Sequence, residues 1–458
     1  MFRFRMTEKQ HSKLKSHLHN GDGLEAVAFG LCGTLSHNGD DFFMLNQVFL
    51  LPYEKCERAA NYVNWKFSDI ENLVDQAKRQ NLSLVKFHSH PRENSGFSAL
   101  DDDSDKRFFE SVYSWLDNDL IHSSVIMYSD GTFKGRVIES DLKFQPLDSL
   151  SIIGSNLCKS TYFPSSVGNE YLGAMDRNEQ AFGKATINRL KQMKVAVIGC
   201  SGTGSPTIEQ LVRLGVGELV LVDPDVGDVV NLNRILGLNL TDAKANKPKV
   251  SVIKAHIDEI GLGTRVTALN SYLQSSKEVV EEVASCDFAF GCTDSAEGRH
   301  AMNLIGHYYL VPFIDIGVKL SADGSGGIDS IAGNIHYVYP GSKSLLERKV
   351  ISPARMEEEE LKRISPEEYK NRQAYFENAN VTSPAVISVN MMHSSLAVLD
   401  MLDRIHPYRF SVPSQYEVTR VDITDWAIEE EEVGLTESRF FPESSLGFGV
   451  HGYIQLYD

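Results

Sequence analysis

A strand, a glycine-rich loop and a helix follow one another in the second half of the chain, and this order strongly restricts the fold. The run Lys194–Ile198 predicts a buried parallel strand, and Gly199–Gly204 predicts the loop that follows it. A helix is predicted next, and a second strand, Glu218–Val222, ends at Asp223. These segments form a βαβ unit, and the strands and helices that alternate after it predict a doubly wound α/β sheet.

The glycine loop is a candidate phosphate site, because free amides and the helix dipole at a helix N-terminus favour anions. Its glycines are Gly199, Gly202 and Gly204, and Ser201 stands where the pattern G-x-G-x-x-G has its second glycine. Asp223 follows Gly199 by roughly the 20 residues that separate a ribose-binding acid from such a loop. Taken alone, the loop also fits nicotinamide or flavin binding.

Four polar residues beyond the loop favour a nucleoside triphosphate. Asn231, Arg234, Lys249 and Asp294 supply an amide, two cations and a carboxylate. A nicotinamide site needs no such cationic set, whereas a triphosphate does, together with a carboxylate that holds magnesium. Any one of these residues, such as Lys249, is equally consistent with an exposed surface. The whole set in this order predicts a site for ATP and Mg²⁺.

This order of motifs resembles the adenylating enzymes of ubiquitin-like proteins, including their bacterial relatives in thiamine and molybdopterin biosynthesis. The resemblance covers about residues 175–405. The resemblance implies that Gly202 contacts the nucleotide and that Asp223 contacts the ribose. It also implies phosphate contacts from Asn231, Arg234 and Lys249. Asp294 is the implied magnesium ligand.

Two further segments are similar to that family. Asp176-Arg177 resembles an arginine-bearing segment that reaches across a dimer, which implies a homodimer with Arg177 acting in the partner's site. Val381–Val386 resembles the start of the helix after the crossover loop, which is expected here at about 341–380.

The cysteines depart from the pattern of that family. The chain has six scattered cysteines without a C-x-x-C pair, and none follows Cys292. Members of the family usually carry a cysteine pair, or a thioester-forming cysteine, beyond the segment that is Pro340-Gly341 here. We therefore expect no structural zinc in this half and no thioester, so the reaction should stop at the acyl-adenylate.

The first quarter of the chain carries a second motif, His88-Ser89-His90-Pro91 followed by Ser98 and Asp101. Residues i and i+2 of a strand point the same way, so both histidines can bind one metal ion. Asp101 can be the third ligand, and three protein ligands with an open position are typical of catalytic zinc. Such a zinc ion makes water acidic enough to attack a carbonyl. A lone His-x-His is usually a pair of surface histidines, but the Ser and Asp spacing favours a metal site.

This motif resembles the JAMM zinc isopeptidases, which remove ubiquitin-like proteins from their targets, over roughly residues 1–145. The resemblance implies His88, His90 and Asp101 as zinc ligands and Ser98 as the oxyanion stabiliser. It also implies Glu25 as the general base, although Glu25 alone would be an ordinary exposed strand residue.

Length and composition limit the alternatives. A chain of 458 residues is expected to form two or three domains. We expect an α+β JAMM domain at 1–150, a linker at 151–175, and an α/β doubly wound, Rossmann-like adenylating domain at 176–458.

The net charge of -17 disfavours nucleic acid as a partner, because its phosphates require clustered cations. Neither a signal peptide nor an apolar membrane span is recognisable, so a soluble, cytoplasmic protein is expected.

These motifs predict a bifunctional enzyme of a ubiquitin-like pathway. One half should adenylate the C-terminal carboxylate of a ubiquitin-like protein that ends in glycine, and the other should process or deconjugate it. A conjugating-enzyme-like protein is a further possible partner. Fusions of this kind, by resemblance, belong to bacterial operons, some of them linked to antiviral defence. The alternatives are a sulfur-carrier adenylyltransferase with a processing peptidase, a peptide or small-molecule adenylating enzyme, and a binding scaffold with inactive sites.

Overall fold

The computed structural model describes residues 1–91, 96–161, 173–323, 325, 327–372, 385–434 and 438–450. These residues form two compact units. The first contains the described parts of Met1–Pro164, His307–Leu310 and Phe441–Asp458, and the second those of Ser165–Gly306 and Val311–Phe440. No described helix is long and apolar enough to cross a membrane.

The first unit is built around a mixed sheet. Its strands are β1 (Phe2–Thr7), β2 (Val27–His37), β3 (Asp40–Leu50), β4 (Glu57–Arg58), β5 (Val63–Asn64), β6 (Ser83–His90), β7 (His122–Tyr128), β8 (Phe133–Ile138), β9 (Phe144–Pro146), β10 (Ser149–Ile153) and β11 (Leu157–Thr161). Its helices are α1 (Glu8–Leu18), α2 (Glu71–Gln80) and α3 (Ala99–Leu116). Nine strands form one sheet in the order β11-β10-β1-β3-β2-β6-β7-β8-β9, and β4 pairs with β5.

Helices cover both faces of this sheet because its central strands are apolar on both faces. Leu14 and Leu18 of α1 pack on one face, against Phe4 and Phe87. Helices α2 and α3 pack on the other face, against residues such as Phe29. Strand β6 lies between antiparallel β2 and parallel β7, and all of its residues are buried. The centre of the sheet therefore places the predicted histidines in the protein interior.

The second unit has an eight-stranded sheet. Its strands are β12 (Lys194–Ile198), β13 (Glu218–Val222), β14 (Arg265–Leu269), β15 (Phe288–Gly291), β16 (Phe313–Ala322), β17 (Ile328–Val338), β18 (Val418–Asp422) and β19 (Ala427–Glu431). Its helices are α4 (Asp176–Phe182), α5 (Lys184–Gln192), α6 (Gly204–Arg213), α7 (Leu240–Lys244), α8 (Lys249–Ile260), α9 (Lys277–Ala284), α10 (Ala296–Tyr308, whose last two residues lie in the first unit), α11 (Pro353–Ile364), α12 (Pro366–Arg372) and α13 (Ile387–Ile405).

The strand order of the second unit is β14-β13-β12-β15-β16-β17-β18-β19. The first five strands are parallel, and the last three pair antiparallel. The chain proceeds outward from β12 in both directions, so the order reverses between β12 and β15. Ligands of doubly wound sheets bind at the carboxyl ends of the strands at such a reversal. The predicted doubly wound α/β architecture of this half is confirmed, and the glycine loop lies at this point.

Two expected segments differ from the structure. Part of the expected linker at 151–175 belongs to the sheet, because β10 and β11 extend it beside β1, with Leu150 opposite Phe4 and both side chains buried. The end of the expected adenylating domain belongs to the first unit, where Asn46 Nδ2 donates to the carbonyls of Ser444 (2.8 Å) and Leu446 (2.7 Å).

Two secondary-structure predictions also need correction. The sequence of residues 178–192 predicts a single helix, but the structure has two, α4 and α5, because Gly183 between them has φ of +80° and interrupts the helical backbone. The sequence also predicts a solvated loop for the acidic run at 429–432. Its first three glutamates instead lie on β19, where β18 provides backbone partners and the side chains stay exposed at the sheet edge.

Candidate functional sites

The first unit brings together His88, His90 and Asp101. Both histidines lie on β6 and are buried, with ring centroids 5.1 Å apart. Asp101 reaches them from the first turn of α3, with Oδ1 3.0 Å from His88 Nε2 and Oδ2 3.6 Å from His90 Nε2. One ligand atom from each residue lies within 4.8 Å of the others, and within the described part of the chain this is the one such group.

The donors of this cluster fit a zinc ion. Neither ring nitrogen of His88 has an aligned hydrogen-bond partner, although both are buried. Burial lowers the pKa of His88, which favours the neutral imidazole that binds metals. Burial opposes ionisation of Asp101, yet the two histidine rings beside it lower its pKa, so it is an anionic ligand. Two imidazole nitrogens and one carboxylate oxygen form a donor set that zinc accepts.

Ser98 orients Asp101. It is the N-cap of α3, and its backbone N–H and hydroxyl both donate to Asp101 Oδ2 at 2.7 Å. Asp101 N–H donates in return to Ser98 Oγ at 3.2 Å. The hydroxyl predicted to stabilise an oxyanion is thus engaged with the ligand carboxylate in this state. The oxyanion role of Ser98 stays a prediction, and the cap is a second role that the structure adds.

Glu25 is buried rather than exposed, with 6% of its surface accessible. Burial raises its pKa to about 7, with the His90 ring opposing this shift and Asp101 adding to it. Its backbone is held on both sides, since Glu25 N–H donates to Ala59 O (2.8 Å) and Arg58 Nε donates to Glu25 O (2.8 Å). A carboxyl group that titrates near neutral pH beside a metal cluster can accept and return a proton.

The residue between the two histidines also holds the Glu25 segment. Ser89 points away from the metal cluster, and its hydroxyl accepts a hydrogen bond from Ala26 N–H at 2.9 Å. Ser89 N–H donates to Ala26 O at 3.1 Å. The backbone segment that contains Glu25 is therefore hydrogen-bonded to β6, the strand that carries the two histidines.

A buried ion network beneath the metal cluster was missed from the sequence. Asp105 of α3 contacts Lys86 of β6 and accepts from Arg136 of β8, with Nη2 at 2.7 Å. The Arg136 guanidinium lies 3.8 Å from the centroids of both the Phe97 and Phe144 rings. Asp105 is one helical turn beyond Asp101, and Lys86 is two residues before His88. Lys86, a charged residue inside the apolar run Ser83–His90, is the sequence feature from which this network could have been predicted.

In the second unit, the loops after β12 and β15 meet at the reversal of strand order. Cys292 N–H donates to Ile198 O at 2.7 Å, and a Cβ on Gly199 would lie 2.6 Å from Cys292 O. Gly199 also has φ of +93°. A Cβ on Gly204 would lie 1.9 Å from Gly199 O. Both positions therefore require glycine, and the loop is packed tightly enough to present its amides at the start of α6.

Asp223, at the end of β13, supports this loop. Its Oδ2 accepts from Cys200 N–H at 2.6 Å, and its Oδ1 accepts from Asp225 N–H at 2.9 Å. Burial raises the pKa of Asp223, with Lys249 opposing this shift. Lys249 Nζ lies 2.7 Å from Asp225 Oδ2 and 3.8 Å from Asp223 Oδ1. The structure therefore brings the predicted ribose acid and one predicted phosphate cation together beside the glycine loop.

The other predicted phosphate contacts lie on the loop after β13. Asn231 is buried, and its Oδ1 accepts from Asp228 N–H at 3.0 Å, which shapes the loop. Arg234 Nη1 donates to Val230 O and to Asn233 Oδ1, each at 3.0 Å. The Arg234 Cδ lies 3.4 Å from the point that a Cβ of Gly202 would occupy, so this cation adjoins the glycine loop.

Residues 175–429, more than half of the chain, match the model of the ThiF family. The chain belongs to the ThiF family.

Three curated relatives are similar to parts of the ThiF-family half. The tRNA threonylcarbamoyladenosine dehydratase of Bacillus subtilis is 42% identical over 101 residues, which are 22% of this chain and 39% of that protein. The ubiquitin-like modifier-activating enzyme 5 of Aedes aegypti is 28% identical over 165 residues, 33% of this chain and 38% of that protein.

The molybdopterin-synthase adenylyltransferase of Haemophilus influenzae is 27% identical over 164 residues, 36% of this chain and 65% of that protein. The chain thus spans about two-fifths of the length of the first two relatives and just under two thirds of the third.

The magnesium candidate of the ThiF-family half, Asp294, is exposed on the loop after β15. Helix α11 packs on this loop, since Arg355 Nη2 donates to Asp294 O at 3.1 Å. Glu359 Oε2 accepts from Ser295 Oγ (2.8 Å) and from Glu297 N–H (3.1 Å). From the sequence, the four glutamates at 357–360 are predicted to form a solvated helix face. For Glu359 this is wrong, because it caps the start of α10 beside Asp294.

Arg177 lies on α4 of the ThiF-family half, where its Nη1 donates to Gln180 Oε1 at 3.1 Å and the side chain is exposed. Its action in a partner's site stays a prediction. Residues 381–384 of the predicted helix start and 373–380 of the predicted crossover loop lie outside the described residues. Helix α13 begins at Ile387.

Proposed function

We propose that the ThiF-family half uses ATP and Mg²⁺ to adenylate the C-terminal carboxylate of a ubiquitin-like protein that ends in glycine. A carboxylate oxygen of the substrate attacks the α-phosphorus of ATP, an acyl-adenylate forms, and pyrophosphate leaves. The observation that carries this proposal is the convergence of Asp223, Lys249 and Arg234 on the glycine loop at the strand-order reversal. The similarity to a ubiquitin-like modifier-activating enzyme supports the class of substrate.

Each residue has a stated part in this reaction. Asp223 holds the ribose, and Arg234 and Lys249 stabilise charge on the phosphates, while Asn231 shapes the loop that carries Arg234. Lys249 is paired with Asp225 in the described state, so we propose that it turns from Asp225 to the phosphates when ATP binds. Asp294 is exposed at the same edge and would hold magnesium, which neutralises the leaving pyrophosphate.

The chain's thiols support a reaction that stops at the acyl-adenylate. Burial raises the pKa of Cys292 to about 12 and the pKa of Cys200 well above its ordinary value. Thiols with such pKa values are poor nucleophiles at neutral pH. A thiol or amine on another protein, such as a conjugating-enzyme-like partner, would then take the acyl group. In the related sulfur-carrier alternative, favoured by the similarity to a molybdopterin-synthase adenylyltransferase, a sulfur donor takes it.

Exchange of pyrophosphate into ATP tests the adenylation directly. The chain, Mg²⁺ and a ubiquitin-like protein ending in glycine should support exchange, and Asp294→Ala should abolish it. Asp425→Ala, which removes an exposed carboxylate from the turn after β18, is the matched control and should exchange normally. Normal exchange by Asp294→Ala would contradict the assignment of the magnesium ligand, and no exchange with any such protein would contradict the class of substrate.

We also propose that the first unit is a JAMM-type zinc isopeptidase, so that the whole chain activates and releases the same class of protein. His88, His90 and Asp101 would hold the zinc, which supplies acidified water for attack on an amide carbonyl. Glu25 would take the proton from the attacking water and deliver it to the leaving amine. The pKa of Glu25, raised by burial to about 7, suits both transfers.

A homodimer with Arg177 acting in trans belongs to this proposal and has its own test. Arg177→Ala chains mixed with Asp294→Ala chains should recover exchange, because each mixed dimer contains one intact site. Absence of recovery, once subunit exchange is demonstrated, would contradict the action of Arg177 in the partner's site.

A further inference from the structure

Asn390, on the first turn of α13, lies against the glycine loop. It is 5% exposed, and no described residue makes a hydrogen bond with its side-chain amide. Its Nδ2 lies 2.4 Å from the point that a Cβ of Gly202 would occupy, which is closer than real Cβ contacts approach. A Cβ at position 202 would displace the Asn390 amide and would contact Arg234 Cδ at 3.4 Å, so Gly202 leaves room for this amide beside the loop.

The amide is held in this position by its helix. Ser394, one turn further along α13, donates through Oγ to Thr203 O at 2.7 Å. Asn233 Nδ2 donates to Ala385 O, just before the helix, at 3.3 Å. Val386, the residue that precedes the helix, supplies no side-chain cap. The first turn of α13 thus presents open backbone amides and one buried side-chain amide to the glycine loop.

The side-chain amide of Asn390 thus has a donor that no described residue uses, and a ligand or water would satisfy it. The neighbouring groups indicate which ligand. Arg234, whose Cδ adjoins Gly202, brings a positive charge to this region, and the start of α6 supplies backbone amides. The Cys200 N–H that precedes this point is bonded to the proposed ribose acid Asp223. A phosphoryl group next to a ribose is the α-phosphoryl group of the nucleotide.

We propose that Asn390 is a nucleotide-binding residue that donates a hydrogen bond to the α-phosphoryl group of ATP, and to the same group in the acyl-adenylate. This inference rests on the proposed adenylation site. It adds to that site a neutral hydrogen-bond donor, the Asn390 amide, which lies about one hundred and fifty residues after Arg234 in the sequence.

Binding of ATP, AMP and adenosine to the full chain tests the inference. Asn390→Asp keeps the shape of the side chain but replaces the donor with a carboxylate that repels phosphate. It should weaken ATP and AMP binding by about 10- to 100-fold, the range expected for a lost hydrogen bond to a charged group. Adenosine, which lacks the phosphate, should bind within about twofold of its affinity for the unaltered chain.

Met391→Asp is the matched control. It places the same charge one residue along α13, at an exposed position, and should leave all three affinities unchanged. Should Asn390→Asp fail to fold by circular dichroism, Asn390→Ala carries the same test, with about a tenfold loss for AMP. Unchanged AMP affinity, or an equal loss for adenosine, would show that Asn390 only packs. An unaltered chain that bound no nucleotide at all would overturn the proposed adenylation as well.

Discussion

Removing the Asp105 carboxylate should severely destabilise the first unit, because it leaves the buried Lys86 ammonium without its partner and leaves the buried Arg136 guanidinium with only the exposed Asp102. The side chains of Lys86 and Arg136 are 3% and 7% exposed, and that of Asp105 is fully buried. Arg136 donates to one oxygen of Asp105 through Nε at 3.1 Å and Nη2 at 2.7 Å. Burial opposes ionisation of Asp105, but Lys86 and Arg136 lower its pKa, so the network contains a charged carboxylate.

The size of the expected loss of stability follows from the burial of Lys86 and Arg136. Deleting one member of a buried ion pair costs about 3–5 kcal/mol, so Asp105→Ala should reduce the free energy of unfolding of the first unit by that amount. Asp102→Ala is the matched control, because Asp102 lies on the same helix and pairs with the same Arg136 but is 44% exposed. Exposed pairs contribute about 0–1 kcal/mol, so the control should lose no more than that.

Urea unfolding followed by tryptophan fluorescence measures this difference in the right part of the molecule. Two of the three tryptophans, Trp65 and Trp115, lie in the first unit, and Lys86 Nζ is 5.5 Å from the Trp65 ring centroid.

Zinc competition adds a second readout, since Asp105→Ala should weaken zinc binding about 10- to 100-fold by releasing the turn that carries Asp101. A difference below about 1 kcal/mol between the two variants would refute the argument that this network is desolvated.

Three further predictions concern the first unit. His88→Ala should lose most of its zinc, measured by metal analysis of the purified chain against the control His37→Ala on the exposed end of β2; undiminished zinc would exclude His88 as a ligand. Glu25→Ala should keep its zinc but cleave a ubiquitin-like fusion about 10²–10⁴-fold more slowly, and near-normal cleavage would place the base elsewhere. Burial lowers the pKa of His122 to about 3, so the stability that its neutral form confers is complete above pH 6.5 and falls as the pH drops toward 3. Between pH 7 and pH 5 this amounts to about 2 kcal/mol, and urea unfolding of His122→Leu should show a pH dependence smaller by that amount; an unchanged dependence would assign it to other groups.

Local patterns carried most of what could be predicted from the sequence. The alternation of β6 places His88 and His90 on one side of a strand wherever that strand lies, and the order of strand, glycine loop and helix predicts the doubly wound sheet. Each of these depends on backbone periodicity over a few residues, which the sequence displays directly. The prediction of a linker at 151–175 was wrong for the part that forms β10 and β11. The partner of β10 is β1, about one hundred and fifty residues earlier, and no local pattern shows such a pairing.

The sequence by itself determined the candidate groups: the predicted metal ligands with their spacing, the glycine loop with its acid, and the absence of a cysteine beyond Cys292. Only the tertiary structure decided what holds them. It buried Glu25 and so raised its pKa, joined Asp105 to Lys86 and Arg136 beneath the metal cluster, and set Asn390 against Gly202. The physical reason is that burial, and contact between residues far apart in the chain, arise only when separate elements pack. The pKa values and unpartnered polar groups that follow from burial are therefore properties of the fold.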